Sequence, residues 1–138
     1  MDAFDADCLI YATAAGHPLG TRVAALLLAE GTDRRGAIGS TVLIPELLSK
    51  PIREQQDAEV HALTWILSRL DLRPVDRQVA AVAAQLGARY RLRASNAIHL
   101  ATAVAAGADR FITDNRRDFD RTRVSEVDVT YPEMLPAA

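Results

Sequence analysis

The chain has almost no cysteine and almost no lysine. Among its 138 residues Cys8 is the one thiol. A single thiol cannot close an internal disulfide. Stability must therefore come from packing, and the cytoplasm is the default compartment. Aromatic residues make up only 5 %, so aliphatic side chains must fill the core. No apolar run approaches the ~20 residues of a membrane-spanning helix. The opening "MDAFDADCLIYATA" is acidic and has no basic segment, which argues against a secretory leader. No repeat, low-complexity tract or linker interrupts the chain. The length fits a single domain over residues 1–138.

The lack of lysine is a lack of one kind of cation. Of the 16 Lys and Arg residues, only Lys50 is lysine. Arginine is the better fork for phosphate, although a coding bias toward Arg and Ala gives the same composition. The net charge of −2 excludes the strongly basic balance of proteins that hold nucleic acid by bulk charge. Two local clusters stand out: Arg89, Arg91 and Arg93, then Arg116, Arg117, Arg121 and Arg123. Both flank polar motifs described below.

Hydrophobic residues reach 49 %, too many for a disordered chain. "DAFDA" reads as a short strand running into the apolar helix start "DCLIYATAA". "PLGTRVAALLLAEG" reads as a helix with Pro18 near its first turn and Gly31 at its end. "GAIGS" is a short buried strand. "TVLIPELLSK" opens a helix, because Pro45 is tolerated in a first turn. "EQQDAEVHALTWILSRL" places Val60, Leu63, Ile66, Leu67 and Leu70 at helical spacing. "DLRPV" is expected to break that helix. "DRQVAAVAAQLGARY" is a further amphipathic helix. "SNAIHLATAVAAG" follows, with Ser95 as expected N-cap and Gly107 as expected C-cap. "DRFIT" and "VDVTY" read as strands. Strands alternating with helices indicate an α/β fold, with helices around a short parallel sheet.

In such sheets, sites form at the carboxyl ends of strands, where the strand order switches. The polar residues at those positions are Asp5 and Asp7, then Glu46, then Asn96, then Thr113, Asp114, Asn115 and Asp118. Acids in a first helical turn are also favoured by the helix dipole, which accounts for Asp7 and partly for Glu46. Taken together, oxygen donors from four segments converge on one sheet edge. Crowded carboxylates raise one another's pKa values unless a cation lies between them. Oxygen donors without a His or Cys cluster select Mg²⁺ or Mn²⁺ rather than zinc. Such ions support hydrolysis of a phosphodiester.

The stretches "FDADCLIYA", "STVLIPELL", "ASNAIHLATAVAAGADRFIT" and "DNRRDF" resemble, in order and spacing, the PIN-domain family of the VapC toxin type. The likeness runs along nearly the whole chain, and "AIHLATA" followed by "GADRFIT" is its most specific part. It implies a small parallel sheet with helices on both faces. It also implies a metal-dependent endoribonuclease, the toxin of a toxin–antitoxin pair. By family position, Asp5 is the first metal ligand and Glu46 the second. Asn96 stands where a third acid is usual. Asp114 and Asp118 are both candidates for the fourth, with Asn115 between them. Thr113 matches a hydroxyl that orients a ligand or water. Mg²⁺ or Mn²⁺ is the implied cofactor. RNA is the implied substrate, a VapB-type antitoxin the implied partner and a homodimer the implied assembly. Ala6 and Asp7 depart from the family's usual hydroxyl and its usual Asn or Ser.

Asn96 is the departure with chemical weight. An amide has the shape of a carboxylate without its charge, and cannot act as a base. It is expected to weaken metal binding and to lower activity. Three explanations stay open: an introduced change of a native Asp, compensation by Asp7, Asp114 or Asp118, or a relative that kept only binding. The last is the alternative reading, a non-catalytic PIN-like module that binds RNA or a partner. His99, three residues beyond Asn96, is expected to pack or hydrogen-bond structurally. His17 and His61 are placed on the surface. Cys8 is expected to be a small buried hydrophobe, and Trp65 to be core or interface. Arg116 and Arg117 are candidates for RNA phosphate contacts, or else a solvated turn. "ALLLAEG" and "HALTWILSRL" are apolar enough to suggest a second burial partner.

Overall fold

A computed structural model describes residues 1–28 and 36–137. Five short strands form one wholly parallel sheet: β1 (Asp2–Phe4), β2 (Ala37–Ser40), β3 (Asp71–Arg73), β4 (Arg110–Ile112) and β5 (Asp128–Thr130), in the order β3-β2-β1-β4-β5. Among the described residues the helices are α1 (Ala6–Thr13), α2 (Pro18–Leu28), α3 (Leu43–Arg53), α4 (Asp57–Ser68), α5 (Arg77–Tyr90) and α6 (Ala94–Ala105). A short 3₁₀ turn, Pro132–Met134, follows β5. This is the α/β layering expected from the alternation of strands and helices.

Parallel strands are covered on both faces and so read as short apolar runs. Phe4 and Ile112 point into one core, packed with α1 to α4. Ala3, Ile38, Phe111 and Val129 point into the other, packed with α5 and α6. Aliphatic chains do most of the filling, and Phe111 meets Phe119 edge to face at 5.0 Å. Small residues set how closely helices approach. A Cβ at Gly20 would lie 1.9 Å from the Tyr11 carbonyl oxygen, so α2 can lie on α1 only with glycine there. Among the described residues no helix is long and apolar enough to cross a membrane.

Two local expectations are corrected, at β3 and at the start of α6, and two are narrowed, at Trp65 and His17. Asp71–Arg73 is strand β3, not merely a helix breaker; it pairs with β2 through Ile38, Gly39 and Ser40. Its half-buried, charged composition hides a parallel edge strand. Helix α6 starts earlier than Ser95: Arg93 is the N-cap residue, without a side-chain capping bond. Trp65 is 53 % exposed, so it is not core. His17 does more than occupy the surface: its Nδ1 accepts from the Leu19 and Gly20 amides and thereby caps α2. Gly107 has φ +68 just after α6, as a helix-ending glycine should. The expected helix end at Gly31 lies outside the described residues.

Candidate active site

The order β2-β1-β4 contains the switch point: the chain leaves β1 to build one side of the sheet, and β4 pairs on the other. In sheets of this kind the ligand crevice lies at that point, beyond the carboxyl ends of the strands, here those of β1 and β4. Phe4 is in register with Ile112, so the next residues on each strand, Asp5 and Thr113, stand side by side. The Thr113 hydroxyl donates to Asp5 Oδ2 at 2.8 Å. Asp5 is also the N-cap of α1, where its Oδ1 accepts from the Ala6 amide at 2.8 Å. Both carboxylate oxygens are thus fixed by the fold. Asp5 is 4 % exposed, and that burial pushes its pKa up, with the nearby Glu46 charge adding to the rise.

Glu46 lies in the first turn of α3, the helix that follows β2. Pro45 precedes it there, at a position where the missing N–H costs no helical bond. The Glu46 carboxylate reaches His99 Nε2 at 2.6 Å. His99 is fully buried, and its Nδ1 has no partner. With Nε2 given to Glu46, the imidazole holds that carboxylate from within α6. The expected structural role of His99 therefore has a definite object.

On the far side of Asp5, Asp7 accepts from the Cys8 amide at 2.7 Å and from the Asp114 amide at 3.1 Å. Burial and the Asp5 charge raise its pKa to about 6. Asp114 Oδ2 accepts from the Tyr11 hydroxyl at 3.2 Å, and its Oδ1 faces Arg116 at 3.3 Å. The same arginine pairs with Glu133 at 2.6 Å and covers the Tyr131 ring at 4.5 Å. Its guanidinium is committed on three sides. Burial and the neighbouring acids push the Cys8 thiol far up, leaving it the inert hydrophobe that was expected.

Asn96 occupies the first turn of α6 and is 6 % exposed. Its Nδ2 donates to Asp118 Oδ2 at 3.0 Å. Asn115 Nδ2 donates to the same oxygen at 3.0 Å, and the Asp118 amide returns a bond to Asn115 Oδ1 at 3.2 Å. Asn115 is tied to Thr113 in turn, through its amide to Oγ1 at 3.0 Å. A continuous network therefore runs Asn96–Asp118–Asn115–Thr113–Asp5. A carboxylate accepts and cannot donate, so the Asn96 amide must present its nitrogen to Asp118.

The structure brings Asp5, Thr113, Asn115, Asp118 and Asn96 into one hydrogen-bonded chain. Asp7 and Asp114 form a second pair beside it, and Glu46 is anchored through His99. Tyr11, a residue with no motif signal, joins through Asp114; only its position four residues after Asp7 on α1 hinted at this. Among the described residues no three His, Cys, Asp or Glu side chains gather into a group that could hold a metal ion. Asn96 lies outside that count because it is an amide. The donors are nevertheless hard oxygens, and burial together with neighbouring acids raises the pKa values of Asp5 and Asp7, although His99 offsets part of the rise at Asp5. That chemistry fits a hard divalent cation, with the Asn96 oxygen as a neutral donor.

The family model described as "PIN domain" matches residues 3–124. The chain belongs to the PIN-domain family. The match spans β1 through the turn after β4, and so includes every acid of the crevice. Two solved structures share this PIN fold. One is a toxin–antitoxin complex from Klebsiella pneumoniae, with TM-score 0.74 and 20 % identity over 96 % of this chain and 98 % of that one. The other is VapBC2 from Rickettsia felis bound to a DNA fragment from its promoter, with TM-score 0.73 and 17 % identity over 94 % of this chain and 97 % of that one. No curated protein matches the chain in sequence.

Proposed function

We propose that this PIN-domain chain is a VapC-type toxin, a metal-dependent endoribonuclease whose site carries an amide at one acidic position. The observation that carries the reading is the buried crevice between β1 and β4. There the hydrogen-bonded chain of Asp5, Thr113, Asn115, Asp118 and Asn96 stands beside the His99-anchored Glu46, whose charge adds to the rise that burial imposes on the Asp5 pKa. Asp5, Glu46, Asn96 and an acid of the β4 turn would hold Mg²⁺ or Mn²⁺. Asp118, bonded to Asn96, fits that fourth place better than Asp114, which already serves Tyr11 and Arg116. The ion would supply Lewis acidity for attack of water on a phosphodiester, a hydrolysis that would leave 5′-phosphate and 3′-hydroxyl ends.

The protein groups have separate tasks. Thr113 and the Ala6 amide fix both Asp5 oxygens, so Asp5 needs no rearrangement to act as a ligand. His99 fixes Glu46. Asp7 holds the β4 turn through the Asp114 amide and adds negative charge beside Asp5. Asn96 contributes shape without charge, and lowers the attraction for the cation. A VapB-type antitoxin and a second copy of the chain are the partners. The exposed Trp65, Ile10, Ile44 and Ile52 supply apolar area for such contacts. The cytoplasm, where RNA and a reduced thiol coexist, is the site of action.

The test is RNA cleavage by the Asn96→Asp variant in Mn²⁺, with Asn96→Asp/Glu46→Gln as control. Structured RNA should be cut by the first and spared by the second. RNA left intact by Asn96→Asp would overturn the reading. One observation favours a second reading, a binding module without catalysis: the Asn96 amide nitrogen donates directly to Asp118. A metal titration separates the two, because a pure binding module takes up no Mn²⁺ at Asp5 or Glu46.

A further inference from the structure

The two arginine clusters divide into two kinds once folded. Arg89 is used by Glu126. Arg116 is used by Glu133 and Asp114. Arg121 is used by the Val129 carbonyl at 2.7 Å and by Asp128. Arg123 enters none of the ion pairs among the described residues, and neither do Arg91, Arg93 and Arg117. These three, with Asp118, line one open cavity of about 410 Å³. That is the size of a small-molecule subsite, which typically spans roughly 300–1,000 Å³.

Two pieces of backbone deliver the three guanidiniums, the turn between α5 and α6 and the turn after β4. Arg91 caps the end of α5 with φ 55 and ψ 48, a left-handed conformation in which glycine is the relaxed residue. Arg93 is the N-cap of α6 and spends no side-chain bond on capping. Arg117 sits in the turn after β4, beside the committed Arg116. Asp118 is the wall shared with the crevice. Its Oδ2 already accepts from Asn96 and Asn115, which tempers its repulsion of an anion.

We propose that the cavity of Arg91, Arg93 and Arg117 binds a backbone phosphate of the RNA strand, next to the phosphodiester at the acidic crevice. This inference rests on the nuclease reading of the crevice. An acid-lined crevice repels a polyanion, so a strand that enters it needs cations close by. Three arginines without an ion pair among the described residues, separated from Asn96 by Asp118, supply them. Guanidinium is the suited donor, because its fork matches phosphate oxygens in pairs. An acidic peptide segment could also meet three arginines. It would gain nothing from their adjacency to a second, phosphate-directed site, and a strand of RNA does.

The test measures binding of a fluorescent single-stranded oligoribonucleotide to the chain as it stands, across a range of salt concentrations. Each phosphate contact on a single strand contributes about 0.7 to the slope of log affinity against log salt. Arg91→Ala, Arg93→Ala and Arg117→Ala should each lower that slope by about 0.7, and the triple variant by about 2. The triple variant should bind at least tenfold more weakly. Arg53→Ala and Arg77→Ala, which remove the same charge elsewhere, should leave the slope unchanged. Equal slopes for the triple variant and the parent would overturn the subsite. So would oligoglutamate binding that depends on the three arginines while RNA binding does not. Cleavage by Asn96→Asp is read in parallel. If cleavage fails while the arginine-dependent slope persists, the nuclease reading falls and the phosphate subsite stands. If cleavage proceeds without arginine dependence, the subsite falls alone.

Discussion

Replacing Asn96 by Asp should make the metal-free protein less stable and make its stability respond to divalent cations. The amide nitrogen of Asn96 is 3.0 Å from Asp118 Oδ2. A carboxylate in its place turns a hydrogen bond into an encounter of two anions. At that spacing the bare repulsion is about 5 kcal/mol for an effective dielectric constant of ~20. Protonation limits it: adding a proton to a carboxyl of ordinary acidity at pH 7 costs about 4 kcal/mol. Rotation of the new side chain lowers it further, and the lost hydrogen bond to a charged acceptor sets a floor of about 1 kcal/mol. A loss of ~1–4 kcal/mol corresponds to a fall in Tm of roughly 4–15 °C for a chain of this size. At pH 5 the protonation limit drops to about 1.5 kcal/mol, so the gap to the parent should narrow. Saturating Mn²⁺ should close it by neutralising both acids. The assay is thermal unfolding of parent and variant, in chelator and in Mn²⁺, at both pH values. Equal Tm values in chelator at pH 7, with equal responses to Mn²⁺, would refute the reasoning.

Three further outcomes follow from named contacts. Asp7 favours its protonated form when folded, with a pKa of about 6 against an ordinary 3.8, so stability should be lost as pH rises from about 4 to 6. Asp7→Asn should flatten that loss and gain up to ~3 kcal/mol at pH 7, read by urea unfolding at stepped pH. Thr113→Val keeps the shape of a fully buried residue but strips Asp5 and Asn115 of a partner. It should cost ~1–3 kcal/mol in urea unfolding, and should depress cleavage by Asn96→Asp as well. Gly20→Ala would drive a methyl into the Tyr11 carbonyl, and should cost at least ~1–3 kcal/mol of stability by overpacking.

Much of the fold was legible because its signals are local. Strands β1, β2, β4 and β5 are short apolar runs at helix boundaries, and α5 and α6 carry period and small residues together. Strand β3 was not legible. "DLR" has the length and charge of a helix break, and only its partner β2 makes it a strand. The N-cap of α6 misled in the same way, because Ser95 is the better capping residue by type while the chain turns at Arg93. At the candidate site, strand-end reasoning singled out Asp5 and Thr113, which the β1–β4 register sets side by side, while Asn96 stood out only as a polar residue at the start of an apolar helix. That reasoning could not order Asp114 and Asp118, which share one turn, nor could it separate Arg116 from Arg117. Those distinctions depend on Tyr11 and Glu133, which reach the turn from α1 and from the last 3₁₀ turn, far away in sequence. The grouping of Arg91 and Arg93 with Arg117 has the same origin.

If position 96 is a carboxylate position whose charge has been removed, restoring the charge should restore the cation site. Calorimetric titration with Mn²⁺ tests it most directly, comparing the parent, Asn96→Asp and Asn96→Asp/Glu46→Gln. A single site should tighten by tenfold or more from parent to Asn96→Asp and be lost again when Glu46 is neutralised. Mn²⁺ affinity that is the same in parent and Asn96→Asp would contradict it.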